Sequence, residues 1–293
     1  MKSLLDVNQF VKSHALGNDY IVLDEARLSR PLTPGAVRRI CDIHYGIGSD
    51  GILLVTARPE AGADFGVRIF NPDGGEAEKS GNGLRILAKF LHDHGYTEKP
   101  EFSVSTPGGT VRARLHLTQG RVAGITADMG RATFVSEEIP VAGPRREVVR
   151  EALRVDGATL TVTCVSVGNP HCVIFTDRLE LDEVRRLGSK IERHESFPNR
   201  INVQWASVRG RDRVAILIWE RGAGYTLASG TSSCAVASAC VKNGLTDRHV
   251  TIESPGGELS VEVGEAWELT LTGPASEICR GTLSDDLLQD LSR

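Results

Sequence analysis

The chain has few cysteines for its length and lacks the spacings that would join them into a site. Six cysteines are scattered over 293 residues with no CxxC pair, so neither a zinc site nor a dense disulfide framework is indicated. Buried free thiols in a cytosolic protein are the better interpretation. No apolar run approaches the length of a membrane span, and the opening residues Met1 to Asp6 turn polar too soon for a signal peptide. We therefore expect a cytoplasmic protein.

The motifs of common cofactor and metal enzymes are also missing. The sequence has no HExxH, no P-loop, no GxGxxG between a strand and a helix, and no metal-ligand spacing. The net charge of −4 gives no electrostatic case for binding nucleic acid or an anionic membrane. We therefore expect no cofactor, no metal, and no nucleic acid or membrane partner.

What the sequence does contain is one set of short motifs repeated in order. The second copy follows the first at a nearly constant separation of 148 to 151 residues. The corresponding segments are 17–22 with 168–173, 69–74 with 218–223, 80–83 with 229–232, Gly95 with Gly244, and 106–109 with 254–257. Ordered correspondences with so little drift predict a duplicated fold, with two similar halves in one chain.

Short apolar runs bounded by Gly and Pro predict strands in both halves. A helix is predicted after each serine motif. In the first half, Leu84, Leu87, Ala88 and Leu91 recur at helical spacing. In the second half, residues 234–241 are small and apolar on all sides, which is typical of a buried helix. The segments 34–41 and 181–188 are predicted to form a matching outer pair.

These elements predict an α+β fold with two pseudo-symmetric domains, each a mixed sheet or barrel wrapped around a central helix. We place the first domain at residues 1–130 and the second at 131–275. Residues 276–293 would form a tail that packs back on the first half. Residues 133–155, rich in Glu, Arg and Pro, are predicted to be the linker.

The two serine motifs are the first candidate sites. Ser80-Gly81-Asn82-Gly83 and Ser229-Gly230-Thr231-Ser232 each precede a predicted helix. A helix start offers free backbone N–H groups and a positive dipole end, which suit a carboxylate or phosphate. Simple N-capping by serine is the alternative.

Three further polar positions stand beside strands. Glu220 and Arg221 end a wholly apolar strand, where charge is costly unless it is paired or binds a ligand. Arginine suits a carboxylate, although a structural ion pair is the alternative. Asn71 takes the matching position in the first half, but Asn-Pro-Asp-Gly is also an ordinary turn. His171 lies between two strands, and a lone histidine is more often structural than catalytic.

At these residues the sequence resembles the diaminopimelate epimerase family over nearly the whole chain. The segments that carry the resemblance are 14–19, 46–51, 71–78, 81–85, 168–171 and 220–224. The resemblance implies two pseudo-symmetric domains that hold a substrate between them, in a homodimer. It also implies a reaction without cofactor, the stereoinversion of one α-carbon of LL-diaminopimelate to give the meso form by a two-base proton transfer.

The resemblance also assigns roles to residues. The group that would hold the non-reacting amino acid end consists of Asn18, Asn71, Asn169, Asn202, Glu220 and Arg221. The group that would present N–H groups to the carboxylate at the reacting carbon consists of Gly81, Asn82, Gly230 and Thr231. His171 and Glu220 would tune the two proton-transfer groups.

One departure from the family pattern bears directly on the chemistry. The family has cysteine at the positions of Ser80 and Ser229, where one thiolate removes the α-proton and the opposite thiol returns one. A serine hydroxyl is far less acidic than a thiol, whose usual pKa is about 8.5. We therefore expect a loss of orders of magnitude in rate, with binding retained.

Three explanations are open at this stage. Both cysteines could have been replaced deliberately to trap a substrate. The chain could be a natural relative in which His171, Glu220 or a water handles the protons. It could also be an amino acid binder that has abandoned chemistry, and a racemase or isomerase of another amino acid is a further alternative. The run Ser232-Ser233-Cys234 also departs from the family pattern and favours natural divergence.

Overall fold

The structure is a computed structural model that describes residues 4–56, 59, 62–78 and 80–291. The chain divides into two compact units. The first runs to Ala127 and resumes at Gly273, and the second spans Asp128–Thr272. These divisions lie close to the expected boundaries at residues 130 and 275.

Among its described residues, the first unit has eight strands and two helices before the chain enters the second unit. The strands are β1 (Gln9–Ala15), β2 (Asn18–Asp24), β3 (Ile52–Val55), β4 (Phe65–Phe70), β5 (Glu76–Ala77), β6 (Glu101–Thr106), β7 (Gly109–Thr118) and β8 (Arg121–Arg131). The helices are α1 (Pro34–Cys41) and α2 (Gly81–Asp93), and a single 3₁₀ turn covers Glu25–Arg27.

The second unit repeats this order of elements. Its strands are β9 (Glu151–Val155), β10 (Ala158–Ser166), β11 (Pro170–Phe175), β12 (Asn202–Gly210), β13 (Arg213–Glu220), β14 (Gly224–Thr226), β15 (His249–Ser254), β16 (Gly257–Val263) and β17 (Glu268–Gly273). Its helices are α3 (Leu181–Glu192) and α4 (Gly230–Lys242). The chain then returns to the first unit with β18 (Ser276–Thr282) and α5 (Asp285–Asp290).

Strand pairing is the same in the two units. In the first, β1–β2 is antiparallel, β2–β3 parallel, β3–β4 antiparallel and β4–β6 parallel. In the second, β10–β11 is antiparallel, β11–β12 parallel, β12–β13 antiparallel and β13–β15 parallel. An identical order of pairings and directions in a mixed sheet confirms the predicted duplication and the α+β class.

Each unit packs one helix against the inner face of its strands. In α2 the predicted residues Leu84, Leu87, Ala88 and Leu91 are all buried. In α4 the small side chains let the helix approach strands β10, β11, β12, β15 and β16 closely, and almost every residue is buried. The two predicted central helices are therefore present, although only α2 has a wide apolar stripe of large side chains.

The outer helices cover the other face. Side chains alternate along β2, so Ile21 and Leu23 pack with Val37 and Ile40 of α1, whereas Tyr20 packs on the α2 side. In the second unit Val184, Leu187 and Ile191 of α3 pack on the strands in the same way. The predicted outer helix pair is present. This alternation is also what directs Tyr20 toward the start of α2.

The prediction of a linker at residues 133–155 is wrong. Phe134, Ile139 and Val148 are each at most 3% exposed, and Ile139 and Val148 belong to the core of the second unit. The segment also forms bridges to Ser166 and within itself. Charged residues dominate the composition of this segment, which is why the composition did not indicate its buried apolar side chains. The expectation for cysteine is borne out at five positions, whereas Cys279 is exposed on β18.

Candidate active site

The first candidate site is the start of α2, where Ser80 is the N-cap. Its backbone is extended, with φ −141° and ψ 117°, and its Oγ accepts a hydrogen bond of 3.0 Å from the Gly83 N–H. A Cβ on Gly83 would lie 3.2 Å from that oxygen and 2.9 Å from Leu53. The absence of a side chain at Gly83 therefore leaves room for the Ser80 side chain to cap the helix. The Tyr20 hydroxyl lies 3.3 Å from Ser80 Oγ on the other side.

A chain of side-chain hydrogen bonds fixes the first turn of α2. Arg85 is fully buried and donates 2.7 Å to Asn82 Oδ1 and 3.1 Å to the Gly81 carbonyl. Asn82 in turn donates 3.1 Å to Asn18 Oδ1, and Asn18 donates 3.0 Å to Asp50. This network holds Asn18 and Asn82 rigid. The backbone N–H groups of Gly81 and Asn82 have no acceptor within the helix, as at any helix start.

Asn71 lies in the turn that follows β4, as its sequence indicates. The Asn71 N–H donates 2.8 Å to the Gly75 carbonyl, and the Gly74 N–H donates 2.9 Å to the Asn71 carbonyl. Gly74 has φ +87°, and a Cβ there would come within 2.6 Å of the Pro34 carbonyl. The turn is therefore closed by its own backbone, and the Asn71 side chain is exposed. Its role in binding stays a prediction.

The second candidate site is the start of α4, where Ser229 is the N-cap. Ser229 is only 5% exposed, and its Oγ accepts a hydrogen bond of 3.4 Å from the Ser232 N–H. It also lies 3.5 Å from Thr231 Oγ1. Burial raises the pKa of Glu220 above its usual value, and a hydrogen bond with the Ser229 side chain opposes that rise. A carboxylate that holds its proton more tightly is a stronger base.

His171 lies behind this helix start and is completely buried. Burial is the main cause that lowers its pKa to about 3, so the ring is neutral at physiological pH. Gln204 Nε2 can only donate, and it lies 3.0 Å from His171 Nδ1. With the Gln204 amide in this orientation, His171 Nε2 carries the proton and donates a hydrogen bond of 2.8 Å to Asn169 Oδ1. Asn169 is therefore oriented so that its amide group donates 3.4 Å to Thr231 Oγ1.

Gln204 supports the candidate site and was not predicted from the sequence. It is fully buried, donates to both His171 and Ser232, and its Oε1 has no hydrogen-bond partner within the described residues. The available signal was a glutamine inside the apolar run of β12, because an uncharged polar group in a core strand is costly without partners.

Glu192 was missed as well. This buried residue at the end of α3 accepts 2.9 Å from the Trp219 indole N–H and 3.1 Å from the Gly222 N–H. It therefore holds the chain on both sides of Glu220 and Arg221. A carboxylate placed one residue after the apolar Ile191 was the signal in the sequence.

Asn202 completes the support of this turn. Its amide group donates 2.9 Å to the Pro170 carbonyl and its Oδ1 accepts 2.9 Å from the Arg221 N–H. The guanidinium of Arg221 donates 3.1 Å to the Asn199 carbonyl, and the residue is exposed.

The sequence-predicted residues thus fall into two groups. The first unit brings Asn18 to Ser80, Gly81 and Asn82. The second unit brings together Asn169, His171, Asn202, Glu220, Arg221, Ser229, Gly230 and Thr231. Across the ranges that the structure describes, no group of three or more His, Cys, Asp or Glu side chains is arranged to hold a metal ion. No helix in those ranges is both long and apolar enough to cross a membrane.

Solved structures share the overall fold of this chain. A hydroxyproline epimerase from Agrobacterium vitis matches with a TM-score of 0.69 at 15% identity, covering 93% of this chain and 90% of that one. A probable proline racemase from Agrobacterium radiobacter matches with a TM-score of 0.70 at 15% identity, covering 95% and 93%. At such low identity these matches show the fold alone.

Sequence similarity gives the family. The family model for diaminopimelate epimerase matches residues 10–135 and 163–278. Diaminopimelate epimerase 2 of Nostoc sp. is 43% identical over 279 residues, which cover 95% of this chain and 96% of that protein. Diaminopimelate epimerase of Moorella thermoacetica is 42% identical over 274 residues, covering 93% and 98%. The chain belongs to the diaminopimelate epimerase family.

Proposed function

We propose that this chain is an isomerase that converts LL-diaminopimelate to the meso form by moving a proton at one α-carbon. The observation that carries the proposal is the 43% identity to a relative of that name over 95% of the chain. The two capped helix starts add physical support. Each offers backbone N–H groups, at Gly81 and Asn82 and at Gly230 and Thr231, which suit a carboxylate.

A second set of groups suits the other amino acid end of the substrate. Diaminopimelate has two amino acid ends, and an enzyme that inverts one of them must hold the other. The exposed guanidinium of Arg221 suits a carboxylate, and the amides Asn18, Asn71, Asn169 and Asn202 suit polar recognition. A simple amino acid would leave these groups without a ligand, which favours diaminopimelate over the racemase alternative.

Serine at the two reacting positions determines how the proton moves. In the second unit Ser229 Oγ takes the α-proton while its own hydroxyl proton passes to Glu220. The reaction leaves a carbanion on the substrate and a neutral Glu220. Because a carboxylate relayed through a hydroxyl is a weaker base than a thiolate, this step is slower than with cysteine by orders of magnitude.

Binding without chemistry is the second candidate function. The specific observation in its favour is that Ser80 and Ser229 both accept a helix N–H, as N-caps do in proteins with no activity at all. On this alternative the polar groups bind the amino acid and no proton moves.

The experiment that separates these functions uses LL-diaminopimelate in D₂O, with α-proton exchange followed by NMR and binding followed by calorimetry. We expect slow exchange for the wild-type chain. The double variant Ser80→Cys with Ser229→Cys should exchange at least about 100-fold faster, because positioned proton transfer contributes factors of about 10² to 10⁴. Ser238→Cys is the matched control, since this buried serine lies on α4 away from the helix start.

The outcomes divide the alternatives. Saturable binding with no exchange in either protein would support the alternative that the chain binds an amino acid without catalysis. Absence of binding would remove diaminopimelate, and parallel titrations with proline and hydroxyproline would then test a racemase of another amino acid. The homodimer, the cytoplasmic location and the absence of nucleic acid or membrane partners remain part of the proposal, and light scattering on the purified chain tests the dimer.

A further inference from the structure

Ser80 lies beside a second hydroxyl group that the proposed function does not use. Tyr20 is 7% exposed, and its hydroxyl lies 3.3 Å from Ser80 Oγ. Its ring is seated against Gly51, where a Cβ would come within 2.7 Å of the ring. The phenol is therefore held in place by packing, with its polar end directed at the reacting position of the first unit.

The hydrogen bonds around Ser80 can engage both lone pairs of its oxygen. Ser80 Oγ accepts from the Gly83 N–H at 3.0 Å. When the Tyr20 phenol donates as well, both lone pairs of the serine oxygen are engaged. The serine hydrogen is then the part of the hydroxyl left to meet a ligand, and Ser80 is partly exposed.

Acidity explains why a phenol matters at this position. A thiol has a usual pKa of about 8.5 and a phenol of about 10, whereas a serine hydroxyl is a far weaker acid than either. A serine that gives up its proton becomes an alkoxide unless another group replaces the proton at once. A tyrosine within hydrogen-bond distance is such a group.

We propose that Tyr20 is a positioning residue that supplies the returning proton through Ser80. This inference rests on the proposed function. As the Ser80 proton forms the new C–H bond with the substrate carbanion, Ser80 Oγ takes the phenol proton. The negative charge passes from carbon to the Tyr20 phenolate. After the product leaves, water reprotonates the phenolate and Glu220 returns its proton to the solvent, so no net proton is gained or lost. Ser80 ends the step as a neutral hydroxyl.

A purely structural role makes a different prediction, because a buried tyrosine hydroxyl usually finds a partner whatever its function. The test is Tyr20→Phe in two backgrounds, the wild-type chain and Ser80→Cys, with epimerisation of LL-diaminopimelate measured from pH 6 to 11. Tyr96→Phe is the matched control, since that hydroxyl donates 2.7 Å to Asp24 in the same unit.

We expect Tyr20→Phe to lower kcat about 100-fold with serine at residue 80, with KM unchanged. The fall of kcat at alkaline pH, set by the phenol, should disappear in the same variant. In the Ser80→Cys background, adding Tyr20→Phe should leave kcat unchanged, because a thiol supplies its own proton. Tyr96→Phe should keep both the wild-type kcat and its alkaline limb.

Three results would overturn the relay. These are an unchanged kcat and alkaline limb in Tyr20→Phe, an equal loss in both backgrounds, and a wild-type chain that binds substrate without exchange. The first two leave the proposed function intact, whereas the third would also show that the wild-type chain itself is not an isomerase. Conversely, a double cysteine variant that neither binds nor turns over diaminopimelate would sink the proposed function itself.

Discussion

The two helix starts share one backbone device and differ in the polar group that touches the serine. At α2 the partner of Ser80 is the phenol of Tyr20, and at α4 the partner of Ser229 is the carboxylate of Glu220. A phenol is neutral at physiological pH and a carboxylate is ionised. The two helix starts therefore correspond in position, whereas the polar groups beside their serines differ in charge at physiological pH.

The turns that follow β4 and β13 show the same kind of divergence. In the first unit the turn closes on itself, with Asp73 accepting 2.8 Å from the Gly75 N–H. In the second unit the turn depends on Glu192, which lies on another element and accepts from Trp219 and Gly222. The turn that carries charged site residues thus has support from a buried carboxylate, whereas the turn that carries Asn71 has one outside hydrogen bond, of 3.1 Å from the exposed Arg38 guanidinium to the Asp73 carbonyl.

The largest effect that tests this comparison is expected at Glu192. In Glu192→Gln an amide nitrogen would face either the Trp219 or the Gly222 N–H, so one of these two donors loses its acceptor. We expect the free energy of unfolding to fall by about 3 kcal/mol, measured by urea denaturation. The KM for diaminopimelate should rise, because the turn that holds Glu220 and Arg221 loosens.

Asp73→Asn is the matched control in the first unit. The change should stay within about 0.5 kcal/mol, since Asp73 is exposed and accepts from its own turn. Equal losses in the two variants would show that the turns are supported alike and that the comparison fails.

The next effect concerns histidines, because the second unit buries one behind its helix start. The pKa of His171 is about 3 in the folded chain and about 6.5 when unfolded. Between these values the unfolded chain binds more protons, so stability falls as pH falls below 6.5. From pH 6.5 to 5 the loss is about 1.6 kcal/mol, because the unfolded histidine is already half protonated at pH 6.5 and the full slope of about 1.36 kcal/mol per pH unit is reached only below it.

Urea denaturation of the wild-type chain and of His171→Gln at pH 6.5 and pH 5 measures this contribution. The variant should lose the slope, since glutamine does not titrate. His116→Gln in the first unit should keep the wild-type slope, because His116 is exposed on β7. A wild-type slope retained in His171→Gln would mean that the ring is not held neutral by burial.

Much of the fold could be predicted because local rules decide it. The offset between motifs predicted the duplication, and helical spacing found α2. Small residues on all sides found α4. The prediction of a linker at residues 133–155 failed because charged residues dominate the composition of that segment. Its structure depends instead on the few buried apolar residues Phe134, Ile139 and Val148. The charge content of a segment indicates which side chains are exposed to solvent. It does not indicate whether other side chains of the same segment are buried in a core.

The candidate site was only partly predictable for a different reason. Ser80 and Ser229 were found because an N-cap is a local motif. Tyr20, Glu192 and Gln204 were missed because their contacts join residues that are distant in sequence, 60 residues apart for Tyr20 and Ser80. These side chains come together with the site only in the folded protein, where each strand directs them to one face of the sheet.

The smallest effect compares the outer helices, which the sequence paired correctly but which begin differently. Thr33 caps α1, with its Oγ1 accepting 3.1 Å from the Ala36 N–H, whereas Glu180 at the start of α3 makes no side-chain cap. We expect Thr33→Ala to lower the free energy of unfolding by about 1 kcal/mol, and Glu180→Ser to raise it by a similar amount. Urea denaturation measures both.

Glu180→Ala separates capping from the loss of a charge near the dipole of α3. It removes the same carboxylate as Glu180→Ser but supplies no acceptor, so it should not stabilise. If alanine and serine stabilise equally, the acidic side chain itself opposes folding and the missing cap is irrelevant. If neither changes stability, Asp182 and Glu183 in the first turn already satisfy the helix start, and the two outer helices are equivalent in energy despite their different caps.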